Sequence, residues 1–348
     1  FATAKLPVEI LLRRSARSSP AGGAGGGRPS ALRRLARQVA WHGLLRSRFA
    51  RRLAAAPNLV VVPNDAAFPY DRLTDSLHRR GIPFLLLQEG IRFPLPAAEK
   101  GRPYGGGGAL AVAAWGEASG EYFASLGVPA ERIHLTGSPR FDAFDAEDWS
   151  PAARALRSQL GIAGPALLLV TNPIDDQGFC TTAEKLSLVA RFLAGLAPLL
   201  STNPLTLVIK LHAREKAADF ESLARRAGVS GRTRIVADAP LPPLFVAVSA
   251  VVILASTVGL EALRAGKRLG VLEIPGFGFV HDYVSSGAAV GLGWDRPLPG
   301  QVEGLLRGDV DAAVRATSYL KRHLAVTDGA TACVVRLIEE LVEARRVG

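Results

Sequence analysis

VVILASTVGLEALRAG, residues 251–266, decides the fold. Val251–Ala255 is an apolar run of strand length, and Ser256, Thr257 and Gly259 make a tight turn. A helix opens at once, with Glu261 in its first turn. Strand, turn and helix in so few residues is the grammar of a parallel α/β sheet. The helix start brings backbone N–H groups and the positive end of the helix dipole, a seat for phosphate. Ser and Thr add hydroxyl donors, and Gly lets a ligand approach the backbone. The same residues also serve ordinary N-capping, so this stretch alone predicts architecture rather than chemistry.

The same grammar continues outward. Ala166–Val170 predicts a strand ending in Thr171-Asn172-Pro173, Thr182–Leu200 a helix, and Leu205–Leu211 a strand ending in His212. Glu215–Ala227 predicts a helix, Arg234–Ala237 a strand and Pro242–Val248 a short helix. Beyond the opening stretch, Arg268–Ile274 and Ala288–Leu292 predict strands, and Val310–Ala325 and Ala330–Arg345 helices. The first half repeats the alternation. Asn58–Val62, Pro83–Leu87, Ala109–Trp115 and Arg132–Thr136 predict strands, and Asp71–Arg80 and Glu117–Leu126 helices. Gly105–Gly108 precedes a strand rather than a helix, which predicts a mobile loop and not a phosphate cradle. Asp145–Pro165 is polar and suits a domain boundary.

The expected fold class is therefore α/β, with two facing, doubly wound Rossmann-like domains. A basic segment, 1–56, forms part of the first domain; 57–150 completes it, and 151–348 is the second. In such sheets ligands bind beyond the carboxyl ends of the strands. Asp65, Glu89, Thr171, His212, Arg214, Ser256, Thr257 and Glu261 all stand there. Arg140 and Asp142 are expected to form an internal ion pair fixing a turn.

Composition sets limits. Hydrophobic residues make up 48% of the 348 and charged residues 21%, which suits a packed core. Two cysteines, Cys180 and Cys333, exclude a disulfide framework and a Cys-based zinc site, and no other metal site is expected. The longest apolar run, Leu244–Ala255, is shorter than the roughly 20 residues of a membrane span. Residues 1–56 hold twelve Lys/Arg against one acid, Glu9, and so carry the whole net charge of +11. Residues 18–30 read as a linker, Val8–Leu12 as a strand, and Ala31–Ala56 as a helix with an apolar stripe and Arg elsewhere. That helix suits packing on a sheet or docking to an anionic membrane surface, where each basic residue adds about 1 kcal/mol. Without aromatic interleaving it does not suggest nucleic-acid binding. The chain begins at Phe1 and has no Met, so a targeting segment or anchor upstream stays open.

LLLQEGIRF (85–93), HLTGSPRFDAF (134–144), VIKLHAR (208–214), ASTVGLEALRAGKRLGVLE (255–273) and TDGATACVVRLIEEL (327–341) occur in this order. Together they resemble the nucleotide-sugar enzymes of GT-B fold. That group includes non-hydrolysing UDP-N-acetylglucosamine 2-epimerases, CDP-glycerol glycerophosphotransferases and related surface-polysaccharide enzymes. The resemblance implies that Ser256, Thr257 and the backbone at Val258 and Gly259 bind the donor diphosphate. It implies that Glu261 holds the ribose hydroxyls and that His212 touches donor phosphate, although Ala213 replaces the family's Pro. Lys210 and Arg214 would add charge, and Thr171 would line the cleft.

Where the epimerases carry their essential Glu, this chain has Gln88; Asp65 matches the epimerase Asp. Glu89 suits a general base that deprotonates an acceptor hydroxyl; the alternative is an exposed turn residue or helix cap. The implied activity is a metal-independent, inverting glycosyltransferase of cell-surface polysaccharide assembly, cytoplasmic or peripheral at the inner membrane. It would take a nucleotide-sugar donor as substrate, a glycan or lipid-linked acceptor, and no cofactor. A UDP-N-acetylglucosamine 2-epimerase and a non-catalytic membrane-associated relative are the alternatives.

Overall fold

The computed structural model describes residues 39, 43, 56–91, 102–145, 147–326 and 328–347. The expected strand at 8–12, the linker at 18–30, the turn residues 92–99 and all of the basic segment except Val39, Gly43 and Ala56 lie outside the described residues.

Two parallel sheets carry the chain. The first has the order β1-β2-β3-β4, from Val60–Val62, Phe84–Leu87, Ala111–Ala114 and Ile133–Leu135. Its crossover helices are α1 (Tyr70–Arg79) and α2 (Glu117–Ser125). Leu73 and Leu77 of α1 and Phe123 of α2 pack on one face of the sheet, against Phe84, Leu86 and Val112. After β4 the chain turns into α3 (Pro139–Asp145) and α4 (Ser150–Gln159).

The second sheet has six strands in the order β10-β9-β8-β5-β6-β7. They are β5 (Ala166–Val170), β6 (Thr206–Lys210), β7 (Thr233–Val236), β8 (Ala250–Ile253), β9 (Arg268–Leu272) and β10 (Val290–Leu292). All five pairings are parallel. This is the doubly wound order, in which the direction of winding reverses between β5 and β8. Leu167, Leu168 and Leu169 of β5 and Val251 and Val252 of β8 are 0% exposed, as central strands covered on both faces must be. The covering helices are α5 (Thr182–Thr202), α6 (Ala217–Arg226), α7 (Leu241–Ala247), α8 (Val258–Arg264), α9 (Leu298–Arg307) and α10 (Ala312–His323).

A capping box starts α5: Thr181 Oγ1 accepts the Glu184 N–H, and the Glu184 carboxylate accepts the Thr181 N–H. Alone among the described helices, α5 has the length and apolarity to cross a membrane. Its Leu188, Phe192, Leu193 and Leu196 pack into the second domain's core.

Three differences from the sequence reading have local causes. Helix α9 escapes notice because Pro297, Pro299, Gly300 and Gly304 hide it; its Pro residues lie where a helix start tolerates them. The last helix, α11 (Ala330–Val347), crosses back to pack on the first domain, although it follows the strands of the second. Val334 and Leu337 cover the other face of the first sheet, on Leu85, Ala111 and Ala113. Asp142 accepts the Ala330 and Thr331 N–H groups at 3.1 and 2.6 Å, capping α11, and so does not pair with Arg140.

The two domains share a buried seam. Ile91, Trp115 and Phe141 of the first lie in one apolar cluster with Leu244, Val251, Leu260 and Tyr283 of the second. The returning chain passes so close to Gly116 that a Cβ there would lie 2.5 Å from the His323 carbonyl carbon.

Candidate active site

The winding reverses between β5 and β8, which in open α/β sheets is where a ligand crevice lies; beyond their carboxyl ends stand the Thr171-Asn172 turn and the Ala255–Thr257 turn. Asn172 ties the two turns together, donating from Nδ2 to the Ala255 carbonyl at 2.7 Å. Asn172 is 7% exposed, and its Oδ1 has no hydrogen-bond partner among the described residues. That acceptor is enclosed, so a ligand N–H or O–H reaches it only if the turn yields.

Beside it, β6 ends at His212. The His212 backbone N–H donates to Glu215 Oε2 at 2.8 Å, and His212 Nδ1 accepts the Arg214 N–H at 3.3 Å. A neutral imidazole accepting at Nδ1 carries its proton on Nε2. Burial favours that neutral form and lowers the His212 pKa, with Glu215 opposing. The site thus presents a neutral N–H donor, not a cation.

Glu215 is itself held from below. Lys185 Nζ lies 2.8 Å from Asp175 Oδ1 and 3.2 Å from Glu215 Oε1; the Lys185 and Glu215 side chains are buried and Asp175 is partly exposed. Burial would lower the Lys185 pKa, but Asp175 and Glu215 outweigh it and raise it. The Thr171 hydroxyl donates to Glu215 and so belongs to this support instead of lining the cleft. Lys185, Asp175 and Glu215 went unmarked in the sequence: a Lys within an apolar helix pattern reads as a surface position.

Other expected cations are already engaged. Lys210 Nζ donates to the Leu211 and Ala237 carbonyls at 2.9 and 2.6 Å, which engages two of its three N–H groups. Arg214 is exposed and paired with Asp176.

The opening stretch keeps its place but changes its detail. Ser256 Oγ accepts the Val258 N–H at 3.2 Å, and the Gly259 and Leu260 N–H groups bond to the Ser256 and Thr257 carbonyls. The amides at Val258 and Gly259 are therefore satisfied within the turn, contrary to the expectation that they hold diphosphate. A Cβ on Gly259 would lie 2.5 Å from Tyr283 Cζ, so the glycine admits that ring and not a ligand. Ser256 and Thr257 remain half-buried at the crevice.

Glu261 is 5% exposed. Arg140, reaching across from α3 in the first domain, lies 2.7 Å from Glu261 Oε1. Oε1 has no hydrogen bond in linear geometry, so the contact is an ion pair rather than a directed bond. Burial pushes the Glu261 pKa up, and Arg140 opposes it.

In the first domain Glu89 is exposed, and Asn64 Nδ2 donates to its Oε1 at 2.6 Å. Asn64 Oδ1 accepts the Ala66 and Ala67 N–H groups, fixing the amide. Ile91, two residues on, is buried in the interdomain seam, so Glu89 stands at that boundary. Gln88 is a buried staple: Nε2 donates to the Gly90 carbonyl and Ser119 Oγ, each at 2.8 Å, and Oε1 accepts the Trp115 N–H.

Asp65 does not face the crevice. It is 0% exposed, and its carboxylate oxygens accept the Gly105 and Gly107 N–H groups, each at 2.8 Å. The glycine run is thus pinned over a carboxylate rather than mobile, and Asp65 is no free acid–base group.

Residues 155–280 match the family model described as capsule polysaccharide biosynthesis protein. No curated protein matches the sequence. Among solved structures, a putative UDP-N-acetylglucosamine 2-epimerase from Listeria monocytogenes aligns with TM-score 0.61 at 14% identity, over 84% of this chain and 77% of that one. The UDP-GlcNAc 2-epimerase from Neisseria meningitidis, bound to UDP-GlcNAc, aligns with TM-score 0.59 at 15% identity, over 85% and 80%. Anabaena HepE in complex with UDP and glucose aligns with TM-score 0.54 at 14% identity, over 86% and 83%. The wall teichoic acid polymerase TagF shares the fold too, with TM-score 0.52. The fold is of GT-B type, and the resemblance to surface-polysaccharide enzymes rests on the family match and the fold together.

Proposed function

We propose that this chain is a glycosyltransferase of cell-surface polysaccharide assembly, moving a sugar from a nucleotide donor to a glycan or lipid-linked acceptor. The carrying observation is the crevice between β5 and β8. There Asn172 Oδ1, His212 Nε2–H, the Ser256 and Thr257 hydroxyls and Glu261 gather beyond the strand ends. HepE with UDP and glucose, and the epimerase with UDP-GlcNAc, support the donor class.

In the reaction, an acceptor hydroxyl oxygen attacks the anomeric carbon as Glu89 takes its proton. The bond from that carbon to the phosphate oxygen breaks, and the nucleoside diphosphate leaves with the electron pair. His212 Nε2–H donates to the departing phosphate, and Glu261 accepts from the ribose hydroxyls. Asn64 orients Glu89. Attack from the face opposite the leaving group inverts the anomeric centre. On this reading the chain works in the cytoplasm, with residues 1–56 at an anionic membrane surface where a lipid-linked acceptor is presented. Loss of vesicle binding on removing those residues tests that placement.

The similarity to 2-epimerases favours a second reading, epimerisation of UDP-N-acetylglucosamine. Gln88 weighs against it, since both its Nε2 protons are engaged and a carboxylate there would face the Gly90 carbonyl. Incubation with UDP-N-acetylglucosamine alone, followed by NMR, separates the two: formation of the 2-epimer sinks the transferase reading. Undiminished transfer by Glu89→Gln would remove the base assignment.

A further inference from the structure

Resting on the donor reading above, we infer that Arg140 is a donor-contacting residue, the first domain's guanidinium for the donor diphosphate. A departing diphosphate accumulates negative charge, and without a metal ion protein groups must meet it. The described cations around the crevice are already engaged. Lys185 sits buried between Asp175 and Glu215, Lys210 is turned onto two carbonyls, and Arg214 is paired with Asp176. His212 presents a neutral N–H. Arg140 is paired as well, but its partner is Glu261, the residue assigned to the ribose hydroxyls.

It comes from the opposite domain, its side chain is 50% exposed, and it rests on Glu261, whose side chain is 6% exposed. Glu261 follows Thr257 by four residues, about one helical turn or roughly 6 Å along the axis. A ribose on Glu261 therefore puts its diphosphate within reach of the same guanidinium. The exchange is chemically natural. Ribose hydroxyls donate to Glu261, replacing with directed bonds an ion pair that lacks linear geometry. The planar guanidinium keeps one edge near the carboxylate and presents its remaining N–H groups to phosphate oxygens, which it suits better than an ammonium does. Burial keeps Glu261 in need of a nearby positive charge, so Arg140 has reason to stay. The donor thereby joins the two domains across their seam, and affinity for diphosphate depends on the first domain.

The test measures binding of the nucleoside, its monophosphate and its diphosphate to the full chain by calorimetry. The uridine series comes first, then cytidine and guanosine. Wild type is compared with Arg140→Gln and Arg140→Lys. Loss of charge-assisted hydrogen bonds predicts that Arg140→Gln weakens diphosphate binding about ten- to hundredfold. The nucleoside should change less than about threefold, and Arg140→Lys should recover part of the loss. A purely structural latch would weaken all three ligands alike and lower Tm, which overturns the assignment, as would an unchanged diphosphate-to-nucleoside ratio. If wild type binds no member of any series, the donor reading itself falls. That outcome is distinct from binding that ignores Arg140.

Discussion

Lys185→Met tests the support beneath His212. Lys185 Nζ lies 2.8 Å from the partly exposed Asp175 carboxylate and 3.2 Å from the buried Glu215 carboxylate. At an effective dielectric of about 20, those separations give attractions of about 6 and 5 kcal/mol. Most of this is offset by the several kcal/mol each ion loses on leaving water, so the intact network contributes little net stability. Removing the cation alone is different, because both carboxylates keep their desolvation cost. The expected loss is about 3–5 kcal/mol at pH 7, read as a shift of the urea midpoint. The double variant Lys185→Met/Glu215→Gln keeps an acceptor for the His212 N–H and removes one stranded charge. Its loss should be at least about 1 kcal/mol smaller than the sum of the two single losses.

The pH dependence has a definite sign. Burial pushes the wild-type Asp175 carboxyl up, but Lys185 and Thr182 outweigh it and hold it below its ordinary value of 3.8. Asp175 therefore stabilises the fold above that value and loses its contribution as pH falls through the lower folded value. Without Lys185 the burial effect dominates, the carboxyl moves up, and the variant recovers stability as pH falls. The gap between wild type and variant should narrow from pH 7 towards pH 4. A loss below about 1 kcal/mol, a gap independent of pH, or strict additivity in the double variant would each refute the reasoning.

Gln88→Glu should cost about 1–3 kcal/mol in urea unfolding, because it sets a carboxylate oxygen where Nε2 stood 2.8 Å from the Gly90 carbonyl, and it should create no epimerase activity. Gly259→Ala should cost about 1–3 kcal/mol through its clash with the Tyr283 ring. Tyr283→Leu in the same chain should make the pair less than additive; full additivity would mean the ring is not what requires glycine. Asn64→Ala should lower kcat about tenfold with KM within twofold if Asn64 only orients Glu89. An equal fall in binding would mean that it touches substrate.

Much of the fold was legible because parallel strands buried on both faces announce themselves as short apolar runs. β5 and β8 are such runs, and residues 166–170 match the expected strand at both ends. Strand ends were equally legible, so His212, Ser256 and Glu261 were marked. What their side chains do there depends on neighbours far along the chain. Arg140 and Glu261 are 121 positions apart, and Asp65 meets its glycine amides 40 and 42 positions away. No local pattern encodes those meetings. Lys185 shows the same limit from the other side. Helical periodicity assigns charge to the solvent face, and only the spatial approach of Asp175 and Glu215 makes a buried ammonium tolerable.

The contrast between the two glycine-bearing turns bears on where a ligand belongs. At Gly105 and Gly107 the chain closes its own anion seat: the Asp65 carboxylate accepts both amides, and a Cβ on Gly107 would lie 2.6 Å from Asp65 Oδ2. No anionic ligand can enter without displacing a buried charge. At the β5–β8 crevice the reverse holds. Asn172 Oδ1 is buried with no donor among the described residues, at a cost of about 1–3 kcal/mol for an acceptor left unmade. His212 is half-buried and accepts the Arg214 N–H at Nδ1, which leaves its Nε2–H to solvent or a ligand. The rest of the Asn172 amide is engaged, its Nδ2 donating to the Ala255 carbonyl and to Gln177 Oε1. A ligand that supplies hydrogen-bond donors to Asn172 and Glu261 and acceptors to His212, Ser256 and Thr257 would satisfy them. A nucleoside diphosphate carries both kinds of group.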